Sequence, residues 1–224
     1  AGAGRIHRGP AEAPARLTRR PVKIVFDFAG VLFRWQPVAM LQRELPHLAS
    51  DEVSARHWVA QIFQGYGGDW GDFDRGTVAV PALVQRIARR TGLAAADVQR
   101  AVDAVPGELQ PVPETVALLR RLHEAGRELY FISNMPAPYA DHLEATHGFL
   151  RCFRDGVFSA RVHLNKPEPA IFELAAARFG TPPAQLVFLD DHLPNVQSAR
   201  ELGWHALQFS AAAQAEAELA ERGW

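Results

Sequence analysis

The sequence predicts an α/β protein in which helices cover both faces of a mostly parallel sheet. From Pro111 onward, short apolar runs that are typical of buried strands alternate with longer segments of helical periodicity. Repeated strand–helix units of this kind pack as parallel sheets. Before them, one strand-like run at Val22–Phe26 is followed by helical patterns up to Glu108. This order predicts a helical insertion after the first strand.

Composition excludes several classes of protein. The 224 residues allow one large domain or two small ones. Lys and Arg total 24 against 25 Asp and Glu, whereas a general nucleic-acid binder usually carries a basic excess. No apolar run is long enough to cross a bilayer, and the single cysteine, Cys152, excludes an intrachain disulfide and a cysteine-based metal cluster. We therefore expect a cytoplasmic protein without nucleic-acid or membrane partners.

The N-terminal elements come next in order. Residues 1–20 are rich in Arg, Ala, Gly and Pro without apolar periodicity, which predicts a flexible tail. An organellar transit peptide and an expression remnant are alternatives, although Ser is scarce for a transit peptide. The first strand ends at Asp27, and the chain then turns at Gly30. A carboxylate at the exit of a buried strand lies where open α/β sheets bind ligands, although an Asp that caps the turn is an alternative.

Apolar spacing predicts four helices in the insertion and no strand. A Gly- and Asp-rich segment, Gly65–Gly76, is predicted to be a loop that carries Tyr66, Trp70 and Phe73. The predicted insertion helices are Val38–Leu48, Val53–Phe63, Val80–Gly92 and Ala96–Val105.

Helices and strands then alternate to the end of the chain. Proline residues at first helical positions mark where helices begin, and glycine residues after the last helical positions mark where they end. The predicted strands are Glu128–Ile132, Gly156–Ser159, Leu186–Leu189 and His205–Phe209, and the predicted helices are Pro113–Gly126, Tyr139–Thr146, Pro169–Phe179, Pro194–Leu202 and Ala211–Arg222.

Polar side chains follow the carboxyl ends of the main predicted strands. Asp27 follows the first strand, Ser133-Asn134 the second and Asp190-Asp191 the fourth, while Lys166 lies in the loop before a helix. Parallel strands bring these positions to one edge of the sheet. Taken singly, each residue has an ordinary alternative: a helix cap, a surface lysine or a turn. A chance origin is less plausible for four loops that are polar at the same edge.

The chemistry of this group points to a phosphate site. Three carboxylates in one crevice repel each other unless a cation lies between them, and oxygen ligands without His or Cys favour Mg²⁺. Lys166 adds a second positive charge, and Ser133 with nearby backbone N–H groups adds donors. Cations and donors of this kind offset the charge of a phosphate, and an Asp carboxylate can act as the nucleophile.

In the order of its motifs, the sequence resembles the haloacid dehalogenase-like hydrolase superfamily. The four motifs are Phe26–Leu32, Ile132–Asn134, Lys166–Pro167 and Leu189–Asn195. The resemblance implies a Rossmann-like core at residues 21–35 and 109–224 and a small helical cap, of the type inserted after the first strand, at residues 36–108. The sequence is most similar to small-cap sugar-phosphate phosphatases such as glucose-1-phosphatases.

The resemblance also implies roles for individual residues. Asp27 would attack phosphorus, and Mg²⁺ would be held by Asp27, the Ala29 backbone carbonyl and Asp191, with Asp190 beside it. Ser133 and the Asn134 N–H would hold phosphate oxygens, Lys166 would neutralise phosphate and Asp27, and Asn195 would support the fourth motif at the substrate. The expected protein is a Mg²⁺-dependent phosphatase of small phosphorylated metabolites, monomeric or homodimeric.

One position departs from the family's phosphatases, which mostly carry a second Asp two residues after the nucleophile as general acid/base. Here that residue is Ala29. Three interpretations follow: substrates with good leaving groups, replacement by His192 or a cap residue, or an impaired protein that only binds phosphorylated ligands. A 2-haloacid dehalogenase is a further alternative, which the Asp190-Asp191 pair disfavours. The Gly65–Asp74 segment, with Tyr66, Trp70, Asp72 and Asp74, is expected to reach over the site, although packing between the insertion helices is an alternative for its aromatic residues. Arg34 and Trp35 are expected to line the pocket, where Arg34 would bind a second anionic group or, alternatively, cap a helix of the insertion.

Overall fold

The computed structural model describes residues 22–224. The predicted tail at residues 1–20 lies outside the described residues. Within them, the five strands form one parallel sheet in the order β3-β2-β1-β4-β5. The strands are β1 (Lys23–Phe26), β2 (Leu129–Ser133), β3 (Asp155–Phe158), β4 (Leu186–Asp190) and β5 (His205–Gln208). The predicted α/β fold with a parallel sheet is confirmed.

Helices cover both faces of this sheet, because successive strand residues point to opposite sides. In β1, Ile24 and Phe26 belong to one core cluster and Val25 to the other. The helices after the insertion are α6 (Pro113–Glu124), α7 (Ala137–Thr146), α8 (Ser159–Val162), α9 (Pro169–Arg178), α10 (Leu193–Glu201) and α11 (Ala212–Glu221). Buried residues of α6, α7 and α11 pack on the first face, and those of α9 and α10 on the second.

Residues 37–108 form a helical insertion between β1 and α6 without a strand. Its helices are α1 (Pro37–Glu44), α2 (Glu52–Phe63), α3 (Gly68–Asp74), α4 (Val80–Thr91) and α5 (Ala95–Glu108). The helix α4 ends as predicted at Gly92, which has a φ of +76° and therefore suits a left-handed helix cap. The helix α1 ends earlier than its apolar pattern indicates, and α5 continues past Pro106.

The prediction of a loop at Gly65–Gly76 is wrong for most of that segment. A 3₁₀ turn at Gln64–Tyr66 leads directly into α3. Trp70 and Phe73 lie one helical turn apart and are both buried, and the Trp70 ring centroid is 4.5 Å from that of Phe63. Burial of two aromatic side chains stabilises a helix whose glycine and aspartate content is typical of a loop.

The helices of the described chain do not meet the requirements for a membrane-spanning helix. None of the helices in residues 22–224 combines the length and the apolar character that a bilayer-spanning helix needs.

Candidate active site

The carboxyl ends of three neighbouring strands meet at one edge of the sheet. The register places Phe26 of β1 beside Phe131 of β2 and Leu189 of β4. Asp27 therefore follows β1 at the level where β2 ends in Ser133 and β4 ends in Asp190. The structure thus brings together the polar groups that sequence analysis assigned to the strand ends.

Lys166 bridges two of these carboxylates. Its Nζ lies 2.7 Å from Asp27 Oδ1 and 2.6 Å from Asp190 Oδ2, and all three side chains are buried. Burial by itself lowers the pKa of Lys166, but the Asp190 and Asp27 charges outweigh burial and raise it. The lysine is therefore a fixed cation beside the Asp27 carboxylate.

The side chain of Asn134 fixes the loop that carries this lysine. Asn134 Oδ1 accepts a hydrogen bond from the Lys166 backbone N–H at 2.8 Å, and Asn134 Nδ2 donates to the Lys166 carbonyl oxygen at 2.9 Å. This reciprocal pair joins the end of β2 to the segment before α9. The amide of Asn134 therefore positions Lys166, a role that its place in the sequence did not indicate.

Asp190 is held on several sides. Asn195 Nδ2 donates to both of its carboxylate oxygens at 3.1 and 3.0 Å, and the His192 backbone N–H donates to Oδ1 at 2.8 Å. With Lys166 on the other oxygen, both carboxylate oxygens have donors. Asn195 lines the cavity, but its side-chain donor is directed to Asp190, and its role in substrate binding stays a prediction.

Asp191 completes a group of three carboxylates. One oxygen from each of Asp27, Asp190 and Asp191 lies within 4.8 Å of the others. Burial raises the pKa of Asp27 well above its ordinary value; Lys166 lowers this pKa, and the Asp190 and Asp191 charges raise it further. Three carboxylates against one ammonium leave an excess of negative charge. This all-oxygen donor set fits a hard divalent cation such as Mg²⁺.

Gly30 makes room for the Asp191 carboxylate. A Cβ atom at Gly30 would lie 2.3 Å from Asp191 Oδ2, and the φ of +83° is unfavourable for other residues. The turn after Asp27 therefore lets the backbone at Gly30, in the first motif, lie close to the carboxylate of Asp191, in the fourth motif. Ala29, whose carbonyl is the predicted metal ligand, lies in this turn and lines the cavity.

Ser133, the last residue of β2, carries an unsatisfied donor. Its Oγ is buried and, within residues 22–224, has no hydrogen-bond partner. An unpaired buried hydroxyl costs free energy, so such groups point to a ligand that satisfies them.

A cavity of about 560 Å³ opens above this edge, between the sheet and the helical insertion. Asp27, Lys166 and Asp191 line it on the sheet side. Its other walls combine aromatic and aliphatic side chains with polar and charged ones: Trp35, Tyr66, Trp70, Leu109, Met135 and Tyr139 on one hand, and Asp72, Asp74, Arg75, Asn165, Glu168 and His192 on the other. The volume is typical of small-molecule sites. The predicted approach of the Gly65–Asp74 segment to the site agrees with this lining, since Tyr66, Trp70, Asp72 and Asp74 all belong to it.

Tyr66 reaches from the insertion toward the carboxylates. Its hydroxyl accepts a hydrogen bond from Trp35 Nε1 at 2.7 Å, and its ring centroid is 6.3 Å from that of His192. Gln64, Gly65 and Tyr66 all have positive φ values, an uncommon conformation for Gln and Tyr. The contact between Trp35 and Tyr66 joins the chain just past β1 to this turn, and no local pattern of the sequence indicates it.

The expectation for Arg34 requires a correction. Arg34 is exposed and lines a separate groove with Arg43, Arg100 and Glu108 rather than the cavity above Asp27. Its backbone N–H donates to the Gln110 carbonyl at 2.8 Å, and Trp35, the next residue, lines the cavity as predicted. Proximity to Asp27 in sequence therefore indicated the position of Trp35 but not that of Arg34, because neighbouring residues of a segment paired with Gln110 lie on opposite sides.

A sequence model of the haloacid dehalogenase-like hydrolases matches residues 24–203. The chain belongs to this family. The match spans β1, the insertion and the three later motifs, so the chain is a hydrolase of the haloacid dehalogenase type. The narrower likeness to glucose-1-phosphatases stays a prediction.

Individual relatives agree with the family assignment. Sesquiterpene phosphatase astK of Aspergillus oryzae is 27% identical over 187 residues, which cover 83% of this chain and 88% of that protein. Among solved structures, a haloacid dehalogenase family enzyme from Bacteroides thetaiotaomicron, in complex with magnesium and inorganic phosphate, has a TM-score of 0.64 at 20% identity, covering 86% of this chain and 96% of that one.

The family's dehalogenases share the same fold. The L-2-haloacid dehalogenase of Xanthobacter autotrophicus has a TM-score of 0.62 at 20% identity, covering 84% of this chain and 76% of that one. Similarity at this level of identity establishes the fold alone, so the reaction has to be argued from the site.

Proposed function

We propose that this hydrolase is a Mg²⁺-dependent phosphomonoesterase with Asp27 as its nucleophile. The observation that carries the proposal is the group of three close carboxylates, two of which pair with the ammonium of Lys166, together with the unpaired Ser133 hydroxyl at the end of the neighbouring strand β2. A phosphate ester brings negative charge and hydrogen-bond acceptors, and both are matched by a cation, a fixed lysine and a free donor.

Asp27, Asp191 and the Ala29 carbonyl are the groups that would hold Mg²⁺, with Asp190 behind them. When bound, the ion would offset the charge of the phosphoryl oxygens. Asp190 already receives Lys166, Asn195 and the His192 N–H, so its main role in our proposal is to orient the lysine.

The reaction then follows from the chain's own residues. An oxygen of Asp27 attacks phosphorus, the bond from phosphorus to the ester oxygen breaks so that this oxygen leaves with the electron pair, and an aspartyl-phosphate forms. Lys166 and Ser133 would contact the phosphoryl oxygens, where charge develops in the transition state. Water then attacks the phosphorus of the aspartyl-phosphate and regenerates Asp27.

The alternatives are less well supported by the site. A dehalogenase needs no divalent cation, whereas Asp27, Asp190 and Asp191 leave an excess of buried negative charge that Lys166 alone does not balance. Ala29 is the only feature that favours a protein that binds phosphorylated ligands without turning them over.

In this proposal the helical insertion at residues 37–108 acts as a cap that selects the substrate. Sugar phosphates were the expectation from the sequence, but the aromatic and aliphatic part of the cavity wall favours an apolar alcohol. The similarity to an enzyme named as a sesquiterpene phosphatase supports the same choice. We therefore rank monophosphates of apolar, isoprenoid-like alcohols first and sugar phosphates second.

Phosphate release from a substrate panel tests the proposal. The panel pairs farnesyl and geranyl phosphate with glucose 1-phosphate, glucose 6-phosphate and 4-nitrophenyl phosphate, each with Mg²⁺, with EDTA, and with EDTA followed by excess Mg²⁺. We expect release that EDTA abolishes and Mg²⁺ restores, with kcat/KM higher for the isoprenoid esters by at least about tenfold, since each buried methylene contributes about 0.8 kcal/mol. Phosphate release that EDTA does not reduce would exclude a metal-dependent reaction. Faster phosphate release from the sugar esters than from the isoprenoid esters would exclude the apolar substrate class.

Gly30→Ala should weaken metal binding. The added methyl group would collide with Asp191, so we expect the Mg²⁺ concentration for half-maximal activity to rise by about 10–100-fold, as for other changes that displace a metal ligand. Gly126→Ala is the matched control, because Gly126 has a similar φ of +74° but an added Cβ there meets nothing within 4 Å. An unchanged Mg²⁺ dependence in Gly30→Ala would show that Asp191 does not bind the ion.

A further inference from the structure

The proposed reaction lacks a residue that protonates the leaving group. An alkoxide leaves phosphorus slowly unless its oxygen receives a proton as the bond breaks, and a positioned acid accelerates such a step by about 10²–10⁴-fold. Ala29, at the position where most phosphatases of the family carry this acid, has only a methyl group. An apolar alkyl ester, which is the substrate class proposed above, has a poor leaving group and needs an acid most.

Asp74, the last residue of α3, is a buried carboxyl group in the same cavity. It is 4% exposed and lines the cavity together with Asp27 and Lys166. Within residues 22–224 no hydrogen bond to its carboxylate and no ion pair within 4.0 Å is found, and only burial and the charge of Lys166 act on its pKa. Burial of an unpartnered carboxyl group is costly, which makes such a group a candidate for function rather than for stability.

Contacts between the insertion and the core hold the Asp74 backbone in place. Ser159 Oγ donates to the Asp74 carbonyl oxygen at 2.5 Å, and Asn165 Nδ2 donates to the Gly71 carbonyl oxygen at 2.8 Å. The next residue, Arg75, forms a two-pronged ion pair with Glu168, only two residues after Lys166 in the chain. The backbone at Asp74 is thus held against the loop that carries the site's lysine.

The surroundings of Asp74 favour its protonated form. Burial raises the pKa of Asp74 well above its ordinary value, and the Lys166 charge lowers it only in part. The other titratable groups that interact with it are the hydroxyls of Tyr66 and Tyr139, from the 3₁₀ turn and α7. Tyr139 donates to the Val102 carbonyl at 2.8 Å and Tyr66 accepts from Trp35, so each already has a partner.

We propose that Asp74 is the general acid that protonates the leaving-group oxygen, in place of the family's usual residue beside the nucleophile. In the first step Asp27 forms its bond to phosphorus, the bond from phosphorus to the ester oxygen breaks, and the Asp74 proton passes to that oxygen to give the alcohol. In the second step water attacks phosphorus, its proton passes to the Asp74 carboxylate, and Asp27 and inorganic phosphate are released. The inference rests on the proposed function and adds a catalytic residue from the insertion.

The test compares Asp74→Asn with native protein on two esters that need acid assistance to different extents. For a primary alkyl phosphate we expect kcat to fall by about 10²–10³-fold. For 4-nitrophenyl phosphate, whose leaving group needs no proton, a rapid burst of 4-nitrophenol equal to the enzyme concentration should remain, followed by slow turnover because hydrolysis of the intermediate also lacks its base. The burst itself demonstrates a folded site in the variant.

Asp69→Asn is the matched control. Asp69 lies on the same helix but pairs with Arg90 at 2.9 Å outside the cavity, so both reactions should be unchanged. The pH profile is a further readout, since a donor must carry its proton: kcat/KM of the native protein for the alkyl ester should fall as pH rises through the pKa of Asp74, and Asp74→Asn should lack this alkaline limb.

Three results would overturn the inference. One is native-like alkyl phosphate turnover in Asp74→Asn, and another is an equal loss of the burst and of alkyl turnover, which indicates a structural role. In both cases the proposed function is retained, provided that the native protein releases phosphate and that Asp27→Asn abolishes this release. The third is absence of Asp27-dependent phosphate release in the native protein, which overturns the proposed function itself and the role of Asp74 with it.

Discussion

Asp27→Asn is expected to abolish Mg²⁺-dependent phosphate release, with kcat reduced by on the order of 10⁴-fold or more, the range seen when a catalytic nucleophile is lost. The amide has nearly the same shape as the carboxylate but cannot form the aspartyl-phosphate. The substitution also removes one of the three carboxylates that would surround the proposed ion. The measurement is phosphate release from the best ester of the panel, with the melting temperature of each protein as a check on folding.

The control for this prediction is Asp155→Asn. Asp155 begins β3 at the opposite edge of the sheet, where it forms an exposed ion pair with Arg178, so the substitution should leave kcat unchanged. In addition, native enzyme quenched during turnover should carry phosphate that hydroxylamine releases, because hydroxylamine cleaves acyl phosphates. Retained turnover in folded Asp27→Asn would exclude Asp27 as the nucleophile.

Lys166→Met should affect both activity and stability. The substitution leaves the Asp27 and Asp190 carboxylates buried without their common partner. Breaking a buried ion pair from one side typically costs about 3–5 kcal/mol of unfolding free energy. Phosphate release should be lost as well, because the fixed cation beside the nucleophile is gone. Urea unfolding in EDTA measures the stability, and the substrate panel measures the activity.

Lys23→Met is the matched control for stability. Lys23 is the first residue of β1, and its Nζ is 2.8 Å from Glu128 in a half-exposed ion pair. For this substitution we expect a loss of at most about 1 kcal/mol of unfolding free energy. Mg²⁺ should restore part of the stability of Lys166→Met, since an added cation offsets the same carboxylates. A cost no larger than that of Lys23→Met, or no effect of Mg²⁺, would show that the three carboxylates are not the charged cluster we describe.

The sheet and the polar groups at its edge could be predicted from the sequence, because they depend on local patterns. Apolar runs mark the strands, and parallel strands necessarily bring their carboxyl ends to one side. Asp27, Ser133 and Asp190 each lie at the end of such a run, and Lys166 follows from the loop before α9. The family match over residues 24–203 agrees with this order of motifs.

Contacts between distant segments could not be predicted in this way. The burial of Trp70 and Phe73 makes α3 a helix where composition indicates a loop, and the pairing of Arg34 N with Gln110 O places the Arg34 side chain in another groove. The ties of Ser159 and Glu168 to the end of α3 bring Asp74 into the cavity. Spacing along the chain carries no information about these partners, because each contact joins residues more than 70 positions apart or depends on how a whole helix packs. Tertiary packing therefore decides which insertion residues face the strand ends, and with them the proton donor proposed here.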